Sequence, residues 1–135
     1  MIVVDTNIIA YSLIEGDRTG QVLKARDRDP AWLVPGLWRH EFLNVLSTFT
    51  RRKLLTLSQA EDTWKNAVRM LHKKEHPVDH ASALRLSVEN SISAYDAHYI
   101  ALAKSLGVRC MTEDRALLNK FPGLTISAGK MSGKE

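Results

Sequence analysis

Four carboxylates stand out in this sequence, two at strand ends and two on inward helix edges. Asp5 closes the short apolar run Ile2-Val3-Val4, and Asp114 lies just past a second run, Val108-Arg109-Cys110-Met111. Glu41 follows Trp38 by three residues and precedes Val45 by four, so on a helix it borders the apolar stripe. Asp96 precedes Ile100 by four and Ala103 by seven, with nothing cationic on that face. A carboxylate turned toward a core without a partner is expensive. Clustered carboxylates either take up protons or hold a cation. Oxygen donors with no thiolate and no obligatory imidazole suit a hard ion, Mg²⁺ or Mn²⁺. Thr6, Asn7 and Thr112 are short polar residues at the same strand ends, fitted to orient carboxylates or metal-bound water. Each residue also has an ordinary use. Asp5 and Asp114 can cap the helices that follow them, and Thr6 and Thr112 can bond to helix N-termini. Glu41 and Asp96 can bend to solvent or find an Arg. The chemical reading rests on the combination.

The elements that must position these residues are short apolar strands alternating with helical patterns. Strands are expected at Ile2–Val4, at 108–111, at Trp32–Val34 closed by Pro35, and weakly at Leu124–Ile126. Trp38, Phe42, Val45, Leu46 and Phe49 fall on one face of a helix from about Gly36 to Lys53. Ser58-Gln-Ala-Glu61 has capping-box spacing and opens a helix carrying Trp64, Val68 and Leu71, stopped before Pro77. Further helices are predicted over His80–Glu89 and Ala94–Leu106. The pattern means an α/β fold, with a mainly parallel central sheet of about four or five short strands flanked by helices. In such sheets ligands gather beyond the carboxyl ends of the strands, where Asp5 and Asp114 fall. Residues 1–126 form the one domain, and 127–135, without apolar periodicity, read as a flexible tail.

Composition narrows the classes. The 135 residues suit one domain, 44% hydrophobic and 25% charged, which excludes disorder. Cys110 is the one cysteine, so no intrachain disulfide can form and a reducing, cytoplasmic location is expected. Neither a secretory leader nor an apolar run of about 20 residues is seen, so no membrane role is expected. Nineteen Lys and Arg against fifteen Asp and Glu leave a charge of +4, which favours polyanionic partners.

Several other signals are weaker. His72-Lys-Lys-Glu-His76 has the H-x-x-E-H spacing of a zinc peptidase group, but it runs into Pro77 and carries two lysines that repel a cation. Asp5-Thr-Asn7 lacks the second acid of aspartyl phosphatases, and no P-loop or G-x-G-x-x-G is present. Cys110 in an apolar strand reads as core, and Trp32, Trp38 and Trp64 as packing groups.

The residues Ile2-Val-Val-Asp-Thr-Asn7, Glu41 on a helix, Ser93-Ala-Tyr-Asp96 with Tyr99 and Ala101-Leu-Ala103, and Thr112-Glu-Asp114 resemble a PIN domain. The resemblance covers about residues 1–126, and the small size is similar to that of the VapC toxins of toxin–antitoxin pairs. It implies an endoribonuclease in which Asp5, Glu41, Asp96 and Asp114 are the catalytic residues and coordinate one or two Mg²⁺ or Mn²⁺ ions. Metal-activated water would attack the phosphorus in line with the departing 3′ oxygen. The resemblance also implies a homodimer held by helices and a cognate VapB-like antitoxin, which can place an Arg near the acids. Arg51-Arg52-Lys53, Lys73-Lys74, Arg26, Arg28 and Arg115 are candidates for holding the RNA backbone. Two rivals stand beside this reading: a non-catalytic RNA-binding protein of the same fold, and a metal-dependent phosphatase.

Overall fold

Alternation along the strands decides the layering. Successive strand residues point to opposite faces, so Val3 lies on one side of the sheet and Ile2 and Val4 on the other. The computed structural model describes residues 1–133. In it β1 (Ile2–Val4) pairs with β2 (Trp32–Pro35) in the register Ile2 with Trp32 and Val3 with Leu33. On its other edge β1 pairs with β4 (Cys110–Met111), Val3 facing Cys110 and Val4 facing Met111. β3 (Glu75–His76) extends the β2 side and β5 (Thr125–Ile126) the β4 side. All four pairings are parallel, and the strand order is β3-β2-β1-β4-β5.

Two apolar layers follow from that register. Ile2, Val4, Trp32, Val34 and Met111 pack beneath α1 (Thr6–Leu13), α2 (Thr19–Arg28), α3 (Trp38–Arg51) and α4 (Leu57–Leu71). Val3, Leu33 and Cys110 pack beneath α6 (Ala94–Leu106), which α5 (His80–Asn90) covers in turn. Trp38 stacks on Trp64 with ring centroids 5.6 Å apart and meets Phe42 at 6.3 Å, joining α3 to α4. The three tryptophans and Cys110 are therefore packing groups, as their apolar settings predict. Gly107 (φ 66°) ends α6 in the left-handed region, which lets the chain turn straight into β4. Among the described residues no helix is long and apolar enough to cross a membrane.

Three local expectations need correction. The capping box is Thr56 with Gln59, not Ser58 with Glu61. The Gln59 N–H donates to the Thr56 hydroxyl at 3.1 Å, and the Thr56 N–H donates to Gln59 Oε1 at 2.9 Å. Thr56 has the extended backbone a cap requires (ψ 160°), whereas Ser58 is already inside the helix. α4 also stops at Leu71. A 3₁₀ turn at His72–Lys74 leads into β3, a strand too short and too polar to show a period. That path separates His72 from His76, so the H-x-x-E-H spacing never shares a helix face. Finally, residues 128–131 are not a loose tail: Ser127 caps α8 (Ala128–Met131), which packs on α2 with Ala128 buried. The six-residue α7 (Arg115–Lys120) completes the helices, and residues 134 and 135 lie outside the described residues.

Candidate functional site

In a parallel sheet each helix that follows a strand starts at the carboxyl edge. The strand order here reverses between β1 and β4, which opens a crevice beyond the ends of those two strands. Asp5 leaves β1 with extended backbone and caps α1, its Oδ1 accepting the Thr6 N–H at 2.8 Å. Asp114 follows β4 and caps α7, its Oδ1 accepting the Leu117 N–H at 3.0 Å. Glu41 stands in the first turn of α3 and Asp96 in the first turn of α6, where the Asp96 N–H donates to the capping Ser93 hydroxyl at 3.0 Å. All four acids thus sit at helix N-termini, where the partial positive charge of the first turn offsets some of the cost of a carboxylate. Capping and clustering are not alternatives here. Asp5 and Asp114 do both.

Hydroxyls knit the group together. Thr112 donates to Asp5 Oδ2 at 2.7 Å and accepts the Asp114 N–H at 3.0 Å. The Asn7 amide donates to the Thr112 oxygen at 3.4 Å, and Asn7 Oδ1 accepts the Glu113 N–H at 3.3 Å. Glu41 Oε1 accepts from Thr6 at 2.9 Å and from Tyr99 at 2.7 Å. Thr6, Asn7 and Thr112 therefore contact the acids or each other, where the sequence expected second-layer groups. Tyr99 joins the site in the structure without being among its candidate residues in the sequence. The available signal was its spacing, three residues beyond Asp96 and so on the same helix face.

The electrostatics are those of an uncompensated cluster. Burial pushes the Asp5 carboxyl up to about 6, assisted by the charges of Asp96 and Glu41 and opposed by its bonds from Thr112 and Thr6. Burial also raises Asp96, with Asp114 and Glu41 adding to it and the Ser93 bond opposing. The ion pairs among the described residues lie elsewhere: the N-terminus with Asp29, Arg18 with Glu113, and Arg39 with Glu75. Among the described residues none of the four acids has a Lys or Arg partner. Arg51, Arg52, Lys53 and Arg115 are exposed, and Arg26 lies over the Trp32 ring, 5.5 Å from its centroid.

Among the described residues no three His, Cys, Asp or Glu side chains converge as a ready-made metal cage. In the chemistry of the donors the group still fits a hard divalent cation. The ligating atoms are all oxygen, they are anionic, nothing cationic among the described residues compensates them, and two are pushed toward protonation by burial and, less, by their neighbours.

Comparison with known proteins agrees with the fold. The PIN domain family model matches residues 2–123. Ribonuclease VapC3 of Pyrobaculum aerophilum is 31% identical over 129 residues, spanning 91% of this chain and 96% of that protein. The crystal structure of PAE2754 from Pyrobaculum aerophilum superposes with a TM-score of 0.78 at 23% identity, covering 98% of this chain and 93% of that one.

Proposed function

Because the chain belongs to the PIN domain family, we propose that it is a Mg²⁺- or Mn²⁺-dependent endoribonuclease, the toxin of a VapBC-type toxin–antitoxin pair. The relative named a ribonuclease covers nearly the whole chain, which supports RNA as substrate. The observation that carries the chemistry is the set of four carboxylates at one sheet edge with no cationic partner among the described residues. Asp5, Glu41, Asp96 and Asp114 are the residues that would hold the ion. The chemistry supplied by such an ion is a lowered pKa for water and neutralisation of charge on the phosphoryl oxygens.

The chain's own residues do the rest. Four uncompensated carboxylates repel a phosphodiester, so without a cation this edge excludes its own substrate. Thr112 fixes Asp5 and the start of α7, and Thr6 fixes Glu41, so the donors meet a ligand with little reorganisation. The net charge of +4 draws RNA toward the surface at long range. A VapB-like antitoxin as inhibitor, a homodimer and a cytoplasmic location complete the reading.

The test is cleavage of a mixed RNA pool containing tRNA and rRNA, with Mg²⁺ or Mn²⁺ and then with EDTA, beside Asp96→Asn. Metal-dependent cuts that vanish in the variant support the reading. Turnover of phosphomonoesters with intact RNA would replace it with the phosphatase. Neither cuts nor Mn²⁺ binding would end the metal-dependent reading altogether.

A further inference from the structure

Glu41 is held by two hydroxyls from two different helices. α6 sends Tyr99, 0% exposed, into the layer formed by Val3, Leu33, Leu102 and Cys110. Its ring is core, yet its hydroxyl reaches the carboxyl edge of the sheet, 2.7 Å from Glu41 Oε1 and 2.6 Å from Thr6 Oγ1. Thr6 in turn lies 2.9 Å from the same Glu41 oxygen. Three elements, α1, α3 and α6, therefore meet at one carboxylate oxygen. Glu41 Oε2 has no hydrogen-bond partner among the described residues and is not sealed from solvent.

A buried tyrosine hydroxyl needs some partner, and that need alone would explain one bond. It does not explain the choice of partner. A backbone carbonyl would satisfy the hydroxyl without bringing it against a carboxylate that has no countercharge among the described residues. A tyrosine hydroxyl carries its proton at neutral pH, and with its ring locked in the layer it serves as a fixed donor to Glu41. Asp96 is three residues earlier on the same helix, so one rigid element sets both the acid and the group that holds its neighbour.

We infer that Tyr99 is a positioning residue: with Thr6 it pins Glu41 Oε1 and leaves Oε2 as the oxygen available to a hard divalent ion. The assignment rests on the reading of the acids as metal ligands, and the experiment separates the two. Purified wild type and Tyr99→Phe are titrated calorimetrically with Mn²⁺ alone, and the Glu41 carboxyl ¹³C signal is followed without metal. Phenylalanine keeps the ring in its layer, and a thermal melt of each protein checks that it does.

The expected result is Mn²⁺ affinity lowered about tenfold, the usual scale for groups that orient a ligand. The Glu41 signal should shift and broaden in the variant. Placed on a Glu41→Gln background, the same substitution should change Mn²⁺ affinity by less than about twofold, because both act through one side chain. Unchanged Mn²⁺ affinity in a folded Tyr99→Phe protein, or an unmoved Glu41 signal, overturns the assignment. If wild type binds no Mn²⁺, the metal-dependent reading fails and the carboxyl signal alone decides whether Tyr99 positions Glu41. Weakened Mn²⁺ binding in a protein that never cuts RNA supports the positioning role and removes the ribonuclease.

Discussion

The Thr112 hydroxyl donates to Asp5 Oδ2 at 2.7 Å across 107 residues of sequence, tying the end of β4 to the end of β1. The same oxygen accepts the Asp114 N–H, so a single side chain sets two of the four acids. Thr112 is 0% exposed, and water cannot easily replace it. This relationship turns two separate strand ends into one site.

Replacing Thr112 with Val keeps the shape and deletes the hydroxyl. Asp5 Oδ2 then loses its donor in a buried place and the Asp114 N–H loses its acceptor, a loss of about 1–3 kcal/mol. RNA cleavage should fall by about 10–100-fold, because the donors are no longer oriented. Thr112→Ser should recover most of both. Urea unfolding together with cleavage rates checks the pair of effects.

Asp5 makes stability depend on pH in an unusual direction. Its folded value of about 6 lies above the ordinary 3.8, so the folded protein binds the proton more tightly than the unfolded chain. Without metal, stability therefore falls as pH rises from about 4 to about 6 and levels off above that, by on the order of 3 kcal/mol. Glu75 opposes this at the acid end: its bonds from Arg39 and Trp38 hold it below the ordinary 4.5, so its contribution is lost as pH falls through its folded value. The metal-free stability curve should then peak on the acid side of neutrality. In Asp5→Asn the decline should shrink to the part that the raised Asp96 carboxyl contributes, and in wild type saturating Mn²⁺ should reverse it. Unfolding curves at fixed pH steps measure all three.

Asp96 separates function from stability. Its carboxyl is pushed up by burial and by Asp114 and Glu41, so the charge is a strain on the fold. Asp96→Asn keeps the side-chain shape and leaves its backbone N–H to bond Ser93. The variant should melt at the wild-type temperature or slightly above it while losing RNA cleavage and most Mn²⁺ affinity. A melting curve beside the cleavage assay distinguishes this from a damaged fold.

Legibility in the sequence followed from how strongly each element's pattern depends on burial. β1, β2 and α3 were readable because their apolar residues repeat with the period of the layer they fill. Glu41 and Asp96 stand out for the opposite reason, being polar at the border of an apolar helix face, and Asp5 and Asp114 by their places at the ends of apolar runs. β3 was not readable. Its two residues are Glu and His, and what fixes it is Glu75 accepting from Trp38 at 2.7 Å and from Arg39 at 2.6 Å. Those bonds connect residues more than thirty positions apart, and no local pattern announces them. Thr56-Leu-Ser-Gln59 and Ser58-Gln-Ala-Glu61 have the same capping-box spacing, and only backbone geometry tells them apart. The three-way contact of Thr6, Glu41 and Tyr99 was hidden because it exists only once α1, α3 and α6 are packed.

The C-terminal segment supplies a last prediction, since it was expected to hang free. The Ala128 N–H donates to Glu113 Oε2 at 2.9 Å, while Glu113 Oε1 accepts from Arg18 at 2.8 Å. Glu113 stands between Thr112 and Asp114, and its own N–H is bound by Asn7. α8 therefore closes a chain of contacts that runs from α2 to the acid edge. Removing residues 127–135 uncovers the α2 face beneath Ala128 and leaves Glu113 with one partner fewer. The loss should be about 1–3 kcal/mol, with RNA cleavage reduced less than in Thr112→Val because no acid loses its own hydrogen bond. Glu113→Gln separates the two causes. It keeps an acceptor for Ala128 but gives up the charge that holds Arg18, an exposed pair worth about 0–1 kcal/mol. Unfolding curves for the truncated protein should therefore lie well below those of Glu113→Gln; coincident curves would mean that α8 contributes only through the Glu113 charge.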